Sequence, residues 1–122
     1  MRGGTERRRR VIVVEDDSDI ASLLSDILEN EGYSAVAVSN LDDLKAQLDP
    51  RPDLMVLDLR LARGGGEQIL ASLRARGMGD VPVLLLSAAG DLPERAKELG
   101  VNAYLAKPFE LEELLVIVRR LV

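Results

Sequence analysis

Three short apolar runs constrain this chain most: Val11–Val14, Leu54–Leu57 and Val81–Leu86. Each is too short for a helix and lacks the apolar–polar alternation of a strand with one wet face. Each therefore reads as a strand buried on both faces. Such strands need helices above and below them, and the intervening segments supply helical stripes. After an N-cap at Asp17 or Ser18, Ile20, Leu23, Leu24, Ile27 and Leu28 fall on one helical face, and Gly32 ends it. Leu41, Leu44 and Leu48 follow a cap at Asn40, and Pro50 and Pro52 close that helix. Ile69, Leu70 and Leu73 mark a third helix between the break at Gly64–Gly66 and a stop near Gly77. Leu92, Ala96 and Leu99 mark a fourth, stopped by Gly100, and the fifth runs from about Leu111 to Val122.

Two thinner strands, Ala35–Val38 and Ala103–Ala106, complete an alternation of five strands and five helices. The implied fold is α/β, a flavodoxin-like (βα)5 doubly wound parallel sheet. The three uniformly apolar strands belong in its centre and the two thinner ones at its edges, which gives the order 2-1-3-4-5. At 122 residues the chain has the size of one domain. Residues 1–9 read as a basic leader and residues 10–122 as the folded unit. The first ten residues hold five arginines and one glutamate, whereas the whole chain carries a net charge of −5. The body is therefore acidic and a poor match for nucleic acid. No apolar run reaches the length of a membrane span. Cysteine and histidine are both absent, which excludes disulfides, thiolate metal sites, an imidazole base and a Ser-His-Asp triad.

The chemistry gathers at one end of this sheet. Ligands of open α/β sheets bind beyond the carboxyl ends of the strands, where the strand order reverses. The first strand ends in Glu15-Asp16, and the stretch from Asp53 to Arg60 delivers Asp58. The fourth strand ends in Ser87 and the fifth in Lys107. Two unit charges about 4 Å apart repel by about 4 kcal/mol at an effective dielectric near 20. Clustered carboxylates therefore call for protonation or a hard cation, and an all-oxygen set suits Mg²⁺. Such a cation would hold a phosphoryl oxygen while a carboxylate attacks phosphorus in line.

Val13-Val-Glu-Asp-Asp17, Leu57-Asp-Leu59 with Gly66 eight residues after Asp58, Ser87-Ala88 and Tyr104-Leu-Ala-Lys-Pro-Phe109 occur in that order. Together they closely resemble the receiver domain of bacterial two-component response regulators, over Arg10 to Val122. The resemblance implies that Asp58 is the phosphoacceptor. It implies that Asp16 binds Mg²⁺ directly, Glu15 through water, and the backbone carbonyl of Arg60 as a further ligand, with Mn²⁺ as a substitute. Lys107, next to a cis peptide to Pro108, and Ser87 would contact the phosphoryl group. Ser87 and Tyr104 would form the switch.

Upstream, a histidine kinase or histidine phosphotransfer protein is implied, since the chain has no histidine of its own. Downstream, the resemblance implies an output partner or linked output domain in a cytoplasmic protein, controlled through the fourth helix, fifth strand and fifth helix. On the last helix, Leu111, Leu114, Leu115, Val118 and Leu121 form the core stripe. Val116 and Ile117 fall off it and are candidates for a partner or homodimer patch. The domain is catalytic only in the limited sense of its own phosphorylation and dephosphorylation.

Leu61-Ala62 replaces the family's frequent Met-Pro, which leaves the loop after Asp58 its most divergent part. Arg60 and Ala89 occupy variable positions that tune dephosphorylation; a shielding arginine and an apolar alanine point to a phosphorylated state lasting minutes or longer. Three other readings compete. A receiver-like module that binds proteins without phosphorylation would not need the acids and Lys107. A flavodoxin-like cofactor binder would be repelled by Glu15-Asp-Asp17. An aspartyl phosphatase would place an acid where Arg60 stands.

Overall fold

The computed structural model describes residues 8–59, 65–88, 90 and 92–122. The expectations for the leader up to residue 7, the Arg60 carbonyl, Leu61-Ala62, Gly64 and Ala89 lie outside the described residues. Five parallel strands, β1 (Arg10–Val14), β2 (Ser34–Val38), β3 (Leu54–Asp58), β4 (Val83–Ser87) and β5 (Ala103–Ala106), form one sheet in the order β2-β1-β3-β4-β5. The helices are α1 (Ser18–Asn30), α2 (Leu41–Lys45), α3 (Gly65–Ala75), α4 (Leu92–Leu99) and α5 (Leu111–Leu121). The apolar runs are central as their composition requires: every residue of β3 and β4 is buried, and so is Val11–Val14.

Alternate residues of the central strands feed two cores. Ile12, Val14, Met55, Leu57, Val83 and Leu85 pack with Leu44, Ile69 and Ala96 of α2, α3 and α4. Val11, Val13, Leu54, Val56, Leu84 and Leu86 pack with Leu24, Leu28, Leu114 and Val118 of α1 and α5. The pleat thus divides one apolar sequence between two faces.

Local signals set the helix ends. The Asp17 carboxylate accepts from the backbone N–H groups of Asp19 and Ile20, which makes Asp17 the N-cap of α1. Glu110 and Glu113 form a capping box on α5. In α5, Glu112 and Glu113 come first and Arg119 and Arg120 last, in the sense that the helix dipole favours.

Several expectations change. Leu23 is 59% exposed, because it lies one residue before Leu24 and about 100° round the helix from the buried line. Leu111 is 48% exposed, and burial on α5 begins only at Leu114. Ile117 packs on the core as a shoulder residue, so only Val116 of that pair is exposed. Gly65 and Gly66 lie inside α3 rather than in a break. A Cβ on Gly66 would stand 3.3 Å from the Cα and carbonyl oxygen of Leu59, so α3 approaches the chain just after Asp58 this closely only through a glycine.

Candidate functional site

Among the described residues, the buried polar side chains are Glu15 (3% exposed), Asp58 (7%) and Ser87 (1%). All three stand at the carboxyl ends of adjacent central strands. Glu15 follows β1, and its backbone N–H donates to the Val38 carbonyl of β2 at 3.0 Å. Asp58 and Ser87 are the last residues of β3 and β4. Parallel register brings these ends level: Val14 pairs with Leu57, Asp58 with Leu86, and Ser87 with Ala106.

Lys107 closes the group from the next strand. Its backbone N–H donates to the Ser87 carbonyl at 2.9 Å. Its ammonium lies 3.0 Å from Glu15 Oε1 and 3.3 Å from Asp58 Oδ2. The peptide to Pro108 is cis. Asp16 is exposed at the rim, and carboxylate oxygens of Glu15, Asp16 and Asp58 lie within 4.8 Å of one another. Asp17 serves both ends of its turn: while its carboxylate caps α1, its backbone N–H donates to Glu15 Oε2 at 3.2 Å.

The electrostatics follow from this packing. Burial raises the pKa of Glu15; the hydrogen bonds from Lys107 and the Asp17 N–H work against that, and Asp58 adds to it. Burial pulls Lys107 down, but its contacts with Glu15 and Asp58 together outweigh burial and raise it. Among the described residues, one ammonium thus stands against two buried carboxylates. Oxygens bound to one octahedral Mg²⁺ lie about 3–4 Å apart, from Mg–O distances of about 2.0–2.1 Å. The cluster of Glu15, Asp16 and Asp58 fits such an ion after a small closing movement or with one acid held through water.

The structure brings together Glu15, Asp16, Asp58, Ser87 and Lys107, as the sequence leads one to expect. Tyr104 stands apart: it is paired in register with Leu85, on the edge strand, and is 45% exposed. Sequence reasoning gave Lys107 a phosphate and missed its bond to Glu15. A lysine before a proline carries no signal of which acid, 92 residues earlier, it will meet. It also missed the close approach of Gly66 to Leu59, for which the spacing from Asp58 is the only sequence signal.

Comparison with known proteins agrees with this geometry. Residues 11–119 match the model of the response regulator receiver domain. The chain is 36% identical over 115 residues to the phosphate regulon transcriptional regulatory protein PhoB of Escherichia coli, covering 91% of this chain and 50% of that protein. It is 39% identical over 115 residues to the transcriptional regulatory protein PrrA of Mycobacterium tuberculosis, covering 92% and 49%. The chain thus spans about half the length of the curated relatives it matches. Among solved structures, the receiver domain of NtrX from Brucella abortus superposes with a TM-score of 0.81 at 28% identity, over 90% of this chain and 95% of that one. The chemotaxis protein CheY4 of Vibrio cholerae, at 22% identity, shares the fold with a TM-score of 0.85 over 95% of this chain and 100% of that one. With its strand order, its five helices and a family match across nearly the whole folded body, the chain belongs to the receiver domains of two-component response regulators.

Proposed function

We propose that residues 10–122 form a phosphoacceptor unit in which Asp58 takes a phosphoryl group from a phosphohistidine on a kinase or phosphotransfer protein. The observation that carries this reading is the burial of Asp58 at the carboxyl end of β3, with the Lys107 ammonium 3.3 Å away. A carboxylate oxygen of Asp58 attacks phosphorus. The P–N bond to the donor imidazole breaks, its electron pair goes to that nitrogen, and an acyl phosphate forms. Lys107 pairs with the incoming phosphoryl oxygens and exchanges its bond to Asp58 for them. The Ser87 hydroxyl, buried at the next strand end, donates to another. Asp16, Asp58 and the Arg60 carbonyl would hold Mg²⁺ or Mn²⁺ directly and Glu15 through water; when bound, the ion neutralises charge on the phosphoryl oxygens.

The new charge on Asp58 biases a two-state equilibrium. Ser87 and Tyr104 transmit it to the face made by α4, β5 and α5, where Tyr104, Leu111 and Val116 are exposed. That face would serve an output partner, an attached output domain or a homodimer. That its relatives are transcriptional regulatory proteins favours a regulator of transcription as the whole protein, and such a regulator would act in the cytoplasm. Among the described residues no helix is long and apolar enough to cross a membrane.

Acetyl phosphate with Mg²⁺ tests the reading, with the phosphorylated species resolved by intact mass. One added phosphoryl group is expected on the wild type and none on Asp58→Asn. A folded wild type that takes no label would favour the non-phosphorylated binding module instead. Loss of the label within seconds would overturn the long lifetime assigned to Arg60 and Ala89.

A further inference from the structure

Among the described residues, the free margin of β2 is a lightly protected edge. Natural edge strands carry lysine, proline, a bulge or an inward charge that discourages pairing with another chain. Ser34-Ala-Val-Ala-Val38 carries none of these residues, and the strand pairs with β1 without a break in register. Ser34 N–H donates to Arg9 and the Val38 carbonyl accepts from Glu15, both across to the β1 side. The alternation of a parallel ladder then turns the peptide groups of Ala35 and Ala37 outward. The Ala35 N–H is already covered by Glu29 of α1, at 2.8 Å. Ala37 is exposed, and its outward groups are the centre of the open edge.

Beside this edge lies a groove of about 520 Å³ between α1 and β2. Its floor is Ala35 and Ala37, its α1 wall is Ala21, Ser22 and Ser25, and the hydroxyl of Ser25 is buried with no hydrogen-bond partner. Charge is graded along it. Glu15, Asp16 and Asp43 line the groove at the carboxyl end of β2, whereas Arg8 and Arg9 lead into β1 beside its amino end. Arg9 is exposed, and Arg8 is exposed in its pairing with Glu29.

We propose that this edge pairs antiparallel with the β2 of a second copy, across a two-fold axis through Ala37. Antiparallel pairing sets the arginines of each copy against Asp43 of the other at both ends. Parallel pairing would set like against like. Centring on Ala37 makes two hydrogen bonds, from the Ala37 N–H of each copy to the Ala37 carbonyl of the other, and leaves the bond from Ala35 to Glu29 intact. The joint makes a ten-stranded sheet and lies on the margin opposite β5, so the α4–β5–α5 face stays free.

A single-cysteine test is direct, because the chain has no cysteine. In a hydrogen-bonded antiparallel pair the Cα atoms are about 5.5 Å apart, within disulfide reach. Ala37→Cys is expected to form a disulfide-linked dimer under mild oxidation, faster than Val116→Cys by at least about tenfold. Sedimentation equilibrium of the uncrosslinked protein is expected to show a dimer that Ala37→Lys abolishes. Arg8→Glu with Arg9→Glu should weaken it at least about tenfold through like-charge contact. Adding Asp43→Arg to that pair should restore it. A wild type that stays monomeric at every concentration overturns the proposal, as does a dimer trapped by Val116→Cys and not by Ala37→Cys. A charge-reversed triple variant no tighter than the double variant, with circular dichroism unchanged, overturns the antiparallel register.

Discussion

The two ends of this sheet treat charge in opposite ways. At the amino ends of the strands, charges of opposite sign pair near water. Asp53 accepts from the Arg10 backbone N–H at 2.8 Å, and the Arg10 guanidinium reaches Gln47 and the Pro50 carbonyl. Arg8 meets Glu29, and Arg51 meets Asp80. At the carboxyl ends, among the described residues, two buried carboxylates face a single ammonium and a third acid waits at the rim. Exposed opposite charges satisfy one another at little gain. Buried like charges cost stability, and that cost is retained where an incoming cation relieves it. Perturbing one end should therefore change both stability and chemistry, and perturbing the other should change neither.

The largest effect belongs to Lys107. Removing one partner of a buried pair costs about 3–5 kcal/mol, and Lys107 is partly open to solvent, so about 2 kcal/mol is expected for Lys107→Ala. Urea denaturation without Mg²⁺ measures it, and phosphorylation by acetyl phosphate should fall as well. If stability falls and labelling does not, Lys107 serves the fold alone.

Mg²⁺ should offset part of the same repulsion. At a concentration tenfold above Kd, binding to the folded state alone adds about 1.4 kcal/mol, enough to raise Tm by several degrees in a domain of this size. Asp16→Ala should lose most of that rise. An equal rise in both proteins would mean that the ion binds elsewhere.

The outline of this contrast was legible in the sequence, and its pairing was not. Val11–Val14, Leu54–Leu57 and the β4 run read as central strands because burial on both faces removes polar residues from both. The β4 boundary shifted to Val83 because Pro82 has no N–H to give the ladder, although its carbonyl accepts from Met55 at 2.9 Å. Leu23 and Leu111 read as core because periodicity gives a helix its apolar side, and not how far round or along that side the sheet extends. Glu15, Asp58 and Ser87 were legible as strand-end residues once the strand order was known. The bond from Lys107 to Glu15 depends on how far β5 is staggered, which four weakly apolar residues do not encode.

Glu15 gives the pH form of the comparison. Its pKa in the folded state is raised, chiefly by burial. The unfolded chain therefore gives up the Glu15 proton first as pH rises. The stability Glu15 contributes is complete below about pH 4.5, its ordinary value, and is lost as pH rises through the raised one. The other carboxylates titrate too, so the quantity to measure is the difference between wild type and Glu15→Gln in urea midpoints without Mg²⁺. That difference should move in favour of the glutamine variant between pH 4.5 and neutrality, and Mg²⁺ should shrink it. A difference that is flat with pH would mean that Glu15 carries its charge in the fold at no cost.

The smallest effect is expected at the amino end, from Arg51 and Asp80. This pair lowers the pKa of Asp80, first through the hydrogen bond from Arg51, yet both side chains are largely exposed. Water and salt screen such a pair, and ordering two mobile side chains offsets what Coulomb attraction remains. Arg51→Ala, Asp80→Ala and the double variant should share the wild-type urea midpoint within error, and the coupling in that cycle should be indistinguishable from zero. Raising the salt concentration should leave the comparison unchanged. A clear coupling that disappears in salt would show that the amino end also stores electrostatic energy. The difference between the two ends would then be one of burial depth, and no longer a division between structural and reactive charge.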